Sequence, residues 1–281
     1  MGSVGAARNN VSAREEEEDT INVLITGFAP FRANYPINPS WEIAKSLPEY
    51  LPPNPPTPFP GIAGHVPPIT TTGIPPDSTP SIPLPKVKLL VHPTPIHVGY
   101  RAVRDLIPSL WHLDSPDHPR IDLAIHIGMA GPRGHYSIER RAHKTGYTMG
   151  DVDNNLLSDL DASLPAGTAH PWEDLPEELL SGLDMEDVLE RWRKFCPPYS
   201  DLRISEDAGH YLCDFIYYSS LAHLVKSEER GKGKGVVFLH VPSEASPAWV
   251  KVGRELCLGL VRGMVESEVL RGRGKERKGV V

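Results

Sequence analysis

Cysteine is scarce in this sequence, and its few positions already exclude several kinds of site. The 281 residues include three cysteines, Cys196, Cys213 and Cys257, with no Cys-x-x-Cys spacing among them. An odd number of widely spaced cysteines argues against a disulfide framework and against a cysteine-based zinc site. We therefore expect no metal ion and a reducing, cytoplasmic location.

Long apolar runs and an excess of basic charge are also missing. No run reaches the roughly 20 apolar residues that cross a bilayer, and residues 1–20 lack the apolar core of a signal peptide. Acidic residues outnumber basic ones by 36 to 29, so an extended nucleic-acid surface has no electrostatic support. The glycine-rich stretch at 128–134 matches neither the dinucleotide-binding nor the P-loop spacing. We therefore expect that the protein neither spans nor binds a membrane, binds no nucleic acid and needs no cofactor.

Strand-like and helix-like segments alternate along the chain. Short, almost continuously apolar runs, typical of strands buried on both faces, occupy 21–26, 87–92, 121–127 and 236–242. Segments with apolar residues at three- and four-residue spacing, typical of amphipathic helices, lie between and after them. With 40% hydrophobic residues the chain can bury a large core. The pattern predicts an α/β fold, a single-domain α/β/α sandwich.

Two stretches interrupt this alternation and are predicted to be insertions. The first, at about 48–85, holds 14 of the 30 prolines, so backbone donors for a helix or a sheet are scarce there. It is either an irregular surface loop or a contact surface for a partner. The second, at about 151–202, is polar and rich in proline and acidic residues. We expect a disordered acidic tail at 1–20, one catalytic domain at 21–267 and a basic, frayed tail at 268–281.

Cys213 is the candidate nucleophile. It follows a small-residue turn and opens a helical segment, where unpaired N–H groups and the helix dipole favour the thiolate. A cysteine between Leu212 and Phe215 also fits a small buried hydrophobe. Cys257 lies on the apolar face of the last helix, and Cys196 has no evident chemical partner.

Two further residues could complete a catalytic site. His240 lies near the carboxyl end of a core strand, where open α/β sheets bind ligands, although a lone histidine there is commonly structural. Glu139 follows the glycine-rich stretch, directly after the apolar Ile138. It could also be an ordinary exposed strand position.

Four blocks of the sequence together resemble the type I pyroglutamyl peptidases, cysteine peptidases that remove an N-terminal 5-oxoproline from peptides. In chain order the blocks are 23–31 with 38–42, 125–131 with 137–142, 208–213, and 239–242. The resemblance spans roughly 21–265 and leaves out both insertions and both tails. It implies a central mixed, mostly parallel sheet of the phosphorylase/hydrolase-like kind.

The resemblance also implies a role for each matching residue. Cys213 would be the nucleophile, His240 its base, and Glu139 the group that orients the histidine. Thiolate attack, proton transfer through an imidazole and a carboxylate that fixes its tautomer form a coherent chemistry for amide hydrolysis. The substrate would be an N-terminally pyroglutamylated peptide, and a homo-oligomer is left open. The positions implied for substrate binding are Phe28, Phe31, Met129 and Leu212.

The sequence departs from the family pattern at three positions. Met129 stands where members usually have Gln, Met149 where counting from Glu139 predicts an arginine, and Asp214 where many have Asn. These departures leave two alternatives to a pyroglutamyl peptidase. One is a catalytically impaired member that acts as an interaction protein, and the other is a hydrolase of another small acyl or lactam substrate with the same triad.

Overall fold

The computed structural model describes residues 20–53, 84–111, 120–131, 133–227 and 235–278, with side chains to residue 272. This part of the chain contains eight strands and six helices, which alternate except where β3, β4 and β5 follow one another. The strands are β1 Ile21–Gly27, β2 Val87–Val91, β3 Leu123–Met129, β4 Tyr136–Glu139, β5 Arg141–His143, β6 Glu178–Leu180, β7 Leu202–Ser205 and β8 Gly235–Val241. The helices are α1 Pro39–Lys45, α2 Tyr100–Trp111, α3 Leu157–Ala162, α4 Met185–Lys194, α5 Leu212–Lys226 and α6 Pro247–Lys278.

Six strands form one central sheet in the order β2-β1-β3-β8-β4-β7. The pairs β1–β2, β1–β3, β3–β8 and β4–β7 are parallel, whereas β4 and β8 are antiparallel. Strands β5 and β6 make a separate two-stranded antiparallel sheet. The prediction of a mixed, mostly parallel sheet is confirmed.

Helices cover both faces of this sheet. Every residue of β3 and β8 is buried, as the continuous apolar runs predicted. One face packs against α2 and α5, and Phe238 belongs to the hydrophobic cluster on that side. The opposite face packs against α1, α4 and α6, and Leu239 belongs to the cluster there. The α/β/α sandwich is therefore the observed architecture.

The loop after β1 is fixed by the start of α1. The Asn38 side chain accepts a hydrogen bond from the Ser40 N–H at 3.1 Å, and Pro39 opens the helix. Ser40 Oγ in turn accepts from the Phe28 N–H at 3.0 Å. One cap thus holds both the helix and the segment that carries Phe28.

The predicted insertions and tails are only partly within the described residues. Most of 48–85 and all of 1–19 lie outside them. The stretch 151–202 contains α3, β6 and α4, and α6 continues to Lys278, into the segment predicted as a tail. The domain boundaries stay a prediction. Among the described helices, none is long and apolar enough to cross a bilayer.

Candidate active site

The candidate site lies where β3 and β8 end beside the start of α5. Gly128 of β3 pairs in register with His240 of β8. Helix α5 begins at Leu212, so Cys213 is its second residue. Parallel strands bring their carboxyl ends to one edge of the sheet, the edge at which α/β folds bind ligands.

Glu139 reaches this edge from β4, the antiparallel neighbour of β8. Its Oε1 atom accepts a hydrogen bond from His240 Nδ1 at 2.7 Å. The exposed fractions are 0% for Glu139 and 5% for His240, so water competes little for this bond. Because a carboxylate only accepts, the imidazole proton lies on Nδ1, and Nε2 is left as an acceptor.

Glu139 is held in place by two further hydrogen bonds. Ser137 Oγ donates to Oε1 at 3.2 Å, and the Tyr217 hydroxyl donates to the Glu139 backbone carbonyl at 2.9 Å. The other carboxylate oxygen, Oε2, is buried and has no hydrogen-bond partner among the described residues. A buried acceptor left unpaired costs free energy, so the packing around it must hold the side chain there.

The Cys213 sulfur lies directly over Gly128. A Cβ added at Gly128 would come within 2.8 Å of Cys213 Sγ and within 2.5 Å of the Phe238 ring. Only a residue without a side chain leaves room for this approach. Since Gly128 pairs with His240, the structure brings Cys213, His240 and Glu139 to one region of the sheet. In the described part of the chain, no hydrogen bond joins Cys213 Sγ to the His240 ring.

The electrostatics of the thiol differ from the sequence-based expectation. Burial raises the pKa of Cys213, and the negative charges of Glu139 and Asp214 raise it further. The helix start was expected to favour the thiolate. Burial outweighs that effect, because transferring a charge out of water costs more than a helix terminus returns. The thiol is therefore protonated at neutral pH until a base removes its proton.

Three residues on the inward face of α5 contact the sheet, one on each successive turn of the helix. Cys213 lies over Gly128, Tyr217 donates to Glu139, and Ser220 Oγ hydrogen-bonds His126 Nε2 at 2.8 Å. The spacing of four and three residues puts all three on one helix face. Tyr217 and Ser220 were missed from the sequence, because polar residues in an apolar helix carry no local sign of their partners.

His126 is a buried polar contact between α5 and the sheet. Its Nδ1 atom hydrogen-bonds Thr26 Oγ1 at 2.8 Å on β1, the in-register neighbour. Burial lowers the pKa of His126 to about 3. The ring is therefore neutral, and it links β1, β3 and α5 through Thr26 and Ser220.

The predicted substrate-binding residues lie around the start of α5. Phe28 and Leu212 are buried, and both belong to the hydrophobic cluster on the α5 face. Phe31 is half-buried against that cluster, with its ring 6.4 Å from the Tyr211 ring. Their role in substrate binding stays a prediction.

The two methionines that depart from the family pattern, Met129 and Met149, lie in different surroundings. Met129 ends β3 and is buried. Strand alternation puts its side chain on the face of Ile127, opposite to the face of Gly128. Met149 is 48% exposed, and its backbone carbonyl accepts a hydrogen bond from the Tyr100 hydroxyl at 2.9 Å.

The third departure, Asp214, has a partner that the sequence did not reveal. Asp214 is fully buried and accepts hydrogen bonds from the His143 backbone N–H at 2.9 Å and from His143 Nδ1 at 3.0 Å. Burial raises the pKa of the Asp214 carboxyl, and the bonds from His143 oppose the rise. This pair joins β5 to α5 beside Cys213.

Curated proteins of known name are similar to this chain. Pyroglutamyl-peptidase 1 of Rattus norvegicus is 35% identical over 157 residues, which are 56% of this chain and 64% of the rat protein. The chain therefore spans slightly less than two thirds of the length of this mammalian relative. Pyrrolidone-carboxylate peptidase of Bacillus mycoides is 27% identical over 226 residues, or 80% of each chain. No protein-family model matches the chain.

Solved structures share the fold. A mutant pyrrolidone carboxyl peptidase of Pyrococcus furiosus has a TM-score of 0.57 and 21% identity, covering 89% of this chain and 99% of that one. Pyroglutamyl peptidase I of Bacillus amyloliquefaciens has a TM-score of 0.57 and 20% identity, covering 88% and 96%. The fold is therefore the α/β fold of the pyrrolidone carboxyl peptidases. The curated relatives bear the names of the same enzymes, and they support the pyroglutamyl-peptidase family that the four sequence blocks resemble.

Proposed function

We propose that this protein is a cysteine peptidase that hydrolyses the N-terminal pyroglutamyl bond of peptides through a Cys213 acyl-enzyme. One observation carries the proposal. Glu139 and His240 form a buried hydrogen-bonded pair, and the Cys213 sulfur lies over Gly128, the register partner of His240. The names of the relatives support the substrate class.

In this proposal His240 is the general base. The Cys213 thiol is protonated at rest, because burial raises its pKa. His240 Nε2 takes the thiol proton as sulfur attacks the amide carbonyl, and the same proton then passes to the departing amine. Water hydrolyses the resulting thioester. Hydrogen bonds between catalytic groups are often long without substrate and tighten in the complex, and we expect the Cys213–His240 pair to form when substrate binds.

Glu139 orients the imidazole and stabilises its charged form. Its hydrogen bond to Nδ1 fixes the tautomer in which Nε2 can accept the thiol proton. When His240 becomes an imidazolium ion, the buried carboxylate lies 2.7 Å away in surroundings of low polarity. Ser137 holds that carboxylate in position, and Tyr217 holds the Glu139 backbone.

The start of α5 can supply donors for the oxyanion. Its N-cap residue, Tyr211, makes no side-chain cap hydrogen bond. The N–H groups of the first helical turn, including that of Cys213, are therefore not taken up by a cap. They lie beside the attacking sulfur, where negative charge develops on the carbonyl oxygen.

The substrate side chain is compact and neutral, which suits an apolar pocket. Oxoproline needs apolar walls together with a few hydrogen-bonding groups for its lactam. Phe28, Phe31 and Leu212 are the apolar residues near the α5 start that we assign to those walls. Met129, the fourth predicted residue, ends β3 with its side chain on the opposite face of the sheet. We assign the catalytic unit to 21–267 and its place of action to the cytoplasm.

A hydrolysis assay with matched cysteine variants tests this proposal. The purified protein is incubated with a fluorogenic pyroglutamyl amide beside Cys213→Ala and Cys196→Ala. Cys213→Ala should lower kcat/KM by about 10³-fold or more, because the nucleophile is lost. Cys196→Ala also removes a thiol but lies on the opposite side of the sheet, so it should retain activity within about twofold.

Two results would redirect the proposal. Wild-type hydrolysis no faster than that of Cys213→Ala would exclude peptidase activity on this substrate. A panel of other acyl and lactam amides then separates the alternatives. Cys213-dependent cleavage of another amide would identify a hydrolase of a different substrate. Failure to cleave any amide would instead favour the catalytically impaired member that acts as an interaction protein.

A further inference from the structure

We propose that His143, His210 and Asp214 form a binding site for a divalent transition-metal ion such as Zn²⁺, beside the candidate nucleophile. One ligand atom from each of the three residues lies within 4.8 Å of the other two. The proposal does not depend on the peptidase function. It departs from the sequence-based expectation of no metal ion, which was drawn from cysteine spacing.

Two imidazole rings converge on one buried carboxylate. Asp214 Oδ2 lies 3.0 Å from His143 Nδ1 and 3.6 Å from His210 Nδ1. The centroids of the two rings are 4.5 Å apart. Ligand atoms around a tetrahedral zinc ion, each about 2.0–2.2 Å from the metal, are separated by distances of this order.

The backbone around His210 is shaped so that its ring can reach this position. His210 adopts a φ of 44°, which is unfavourable for a residue with a side chain. Gly146 lies against the ring, and a Cβ added there would come within 2.7 Å of His210 Nδ1. The loop therefore leaves just enough room for the imidazole beside Asp214.

The ligand set suits a borderline transition metal better than Mg²⁺ or Ca²⁺. Two imidazole nitrogens with one carboxylate form a common set for zinc and for related first-row ions, whereas Mg²⁺ and Ca²⁺ take oxygen ligands. When the ion binds through Nδ1, each ring carries its proton on Nε2. His210 then gives up the hydrogen bond that its Nδ1 makes to the Thr145 carbonyl at 3.0 Å.

The ion would connect three separate parts of the fold. His143 ends β5, His210 belongs to the turn before α5, and Asp214 lies in the first turn of α5. Without an ion, the His143–Asp214 hydrogen bonds join β5 to α5, and the His210–Thr145 hydrogen bond holds the turn. Metal binding should therefore stabilise the protein, since an ion that binds only the folded state shifts the unfolding equilibrium.

Zinc titration in a Cys213→Ala background tests the site. This background prevents zinc from binding to the catalytic thiol. Isothermal titration calorimetry should give one equivalent of Zn²⁺ per chain, and the Tm should rise by about 5 °C at 100-fold excess over the Kd. Added Co²⁺ should show the intense visible absorption of a tetrahedral site without thiolate charge transfer.

Three variants in the same background separate the proposed site from incidental binding. His210→Gln and Asp214→Asn should each weaken Zn²⁺ binding by about tenfold or more. Asp214→Asn retains an oxygen that can accept from the His143 N–H, and His210 is partly exposed, so circular dichroism should report a retained fold. His97→Gln removes an exposed histidine that also pairs with an aspartate, and it should bind zinc like its parent.

Either of two outcomes would overturn the proposal. The first is no measurable binding of Zn²⁺ by the Cys213→Ala protein. The second is binding of equal strength in the His210, Asp214 and His97 variants. In both cases the three residues are an electrostatic cluster without a metal-binding role.

Discussion

At the scale of single residues, the site depends on where each proton is held. Glu139 fixes the proton of His240 on Nδ1, and Cys213 keeps its own proton because desolvation and the carboxylates of Glu139 and Asp214 raise the pKa of the thiol. Proton transfer must therefore accompany attack in the proposed mechanism. A thiol that was already ionised would make the histidine less important.

Replacing Glu139 with Gln tests this dependence. The amide keeps the size of the side chain but removes the charge, and it can donate to Nδ1 and select the wrong tautomer. We expect kcat on the pyroglutamyl amide to fall by about 10³- to 10⁴-fold with the fold retained. Glu178→Gln, a change at a half-exposed residue of β6, is the control for loss of a carboxylate. Activity within about threefold of wild type would rule out the orienting role.

The buried His126 ring leads to a prediction about the pH dependence of stability, not about catalysis. Its folded pKa of about 3 lies below the ordinary 6.5, so between these values the unfolded chain binds a proton that the folded chain does not. Its contribution to stability is therefore complete above pH 6.5 and is lost as pH falls towards 3. As pH falls from about 6.5 to about 4.5, His126 should lower the free energy of unfolding by about 2–3 kcal/mol.

His126→Gln should make the free energy of unfolding less dependent on pH in this range. Urea denaturation of wild type and variant at several pH values measures the slope. Equal slopes for wild type and His126→Gln would show that the buried ring is not responsible.

At the scale of elements, the site depends on the register between β3 and β8 and on the attachment of α5. The register puts Gly128 beside His240, and the missing side chain of Gly128 lets Cys213 approach the sheet. Tyr217 and Ser220 then hold the helix at Glu139 and His126. A single strand or helix carries only part of the site.

Gly128→Ala should lower activity through steric clash, since it changes no catalytic group. The added methyl group would lie 2.8 Å from Cys213 Sγ and 2.5 Å from the Phe238 ring, so one of them must move. We expect kcat/KM to drop by about 10²-fold, because displacements near 1 Å cost about that much, and stability to fall by about 1–3 kcal/mol. Gly182→Ala is the matched control, since its added Cβ meets no atom within 4 Å. Wild-type kcat/KM in Gly128→Ala would contradict the close approach of the sulfur.

At the scale of the whole molecule, the sheet separates two hydrophobic layers with different tasks. The layer with α2 and α5 contains the site, and the layer with α1, α4 and α6 supports the sheet from behind. Trp192 is the largest fully buried side chain of the supporting layer, and its Nε1–H donates to the Leu256 carbonyl at 2.8 Å. Changes in that layer should alter stability without altering the chemistry.

Trp192→Phe tests this separation. It removes the hydrogen bond and part of the buried volume, so the free energy of unfolding should fall by about 1–3 kcal/mol. The kcat of the folded protein should stay within about twofold of wild type at a temperature well below the Tm. Tyr199→Phe, a change at an exposed aromatic residue, should alter neither quantity. A large loss of kcat in Trp192→Phe would mean that the two layers are coupled.

The sequence by itself determined the alternating elements, the sheet class and the three residues proposed for catalysis. Apolar runs such as β3 and β8 predict buried strands because burial of both faces needs apolar side chains throughout. The cap at Asn38 and Pro39 that starts α1 is likewise a local feature of the sequence. The blocks around Cys213, His240 and Glu139 predicted the family, which the comparisons support.

Only the tertiary structure decided how these residues meet. Glu139 and His240 are 101 residues apart, and His143 and Asp214 are 71 apart, so their pairing depends on strand register and helix docking. The direction of the Cys213 pKa shift depends on the burial and charges that folding creates around it. Local periodicity encodes which side chains are buried, whereas the partners of a buried polar group are fixed only when distant segments pack together.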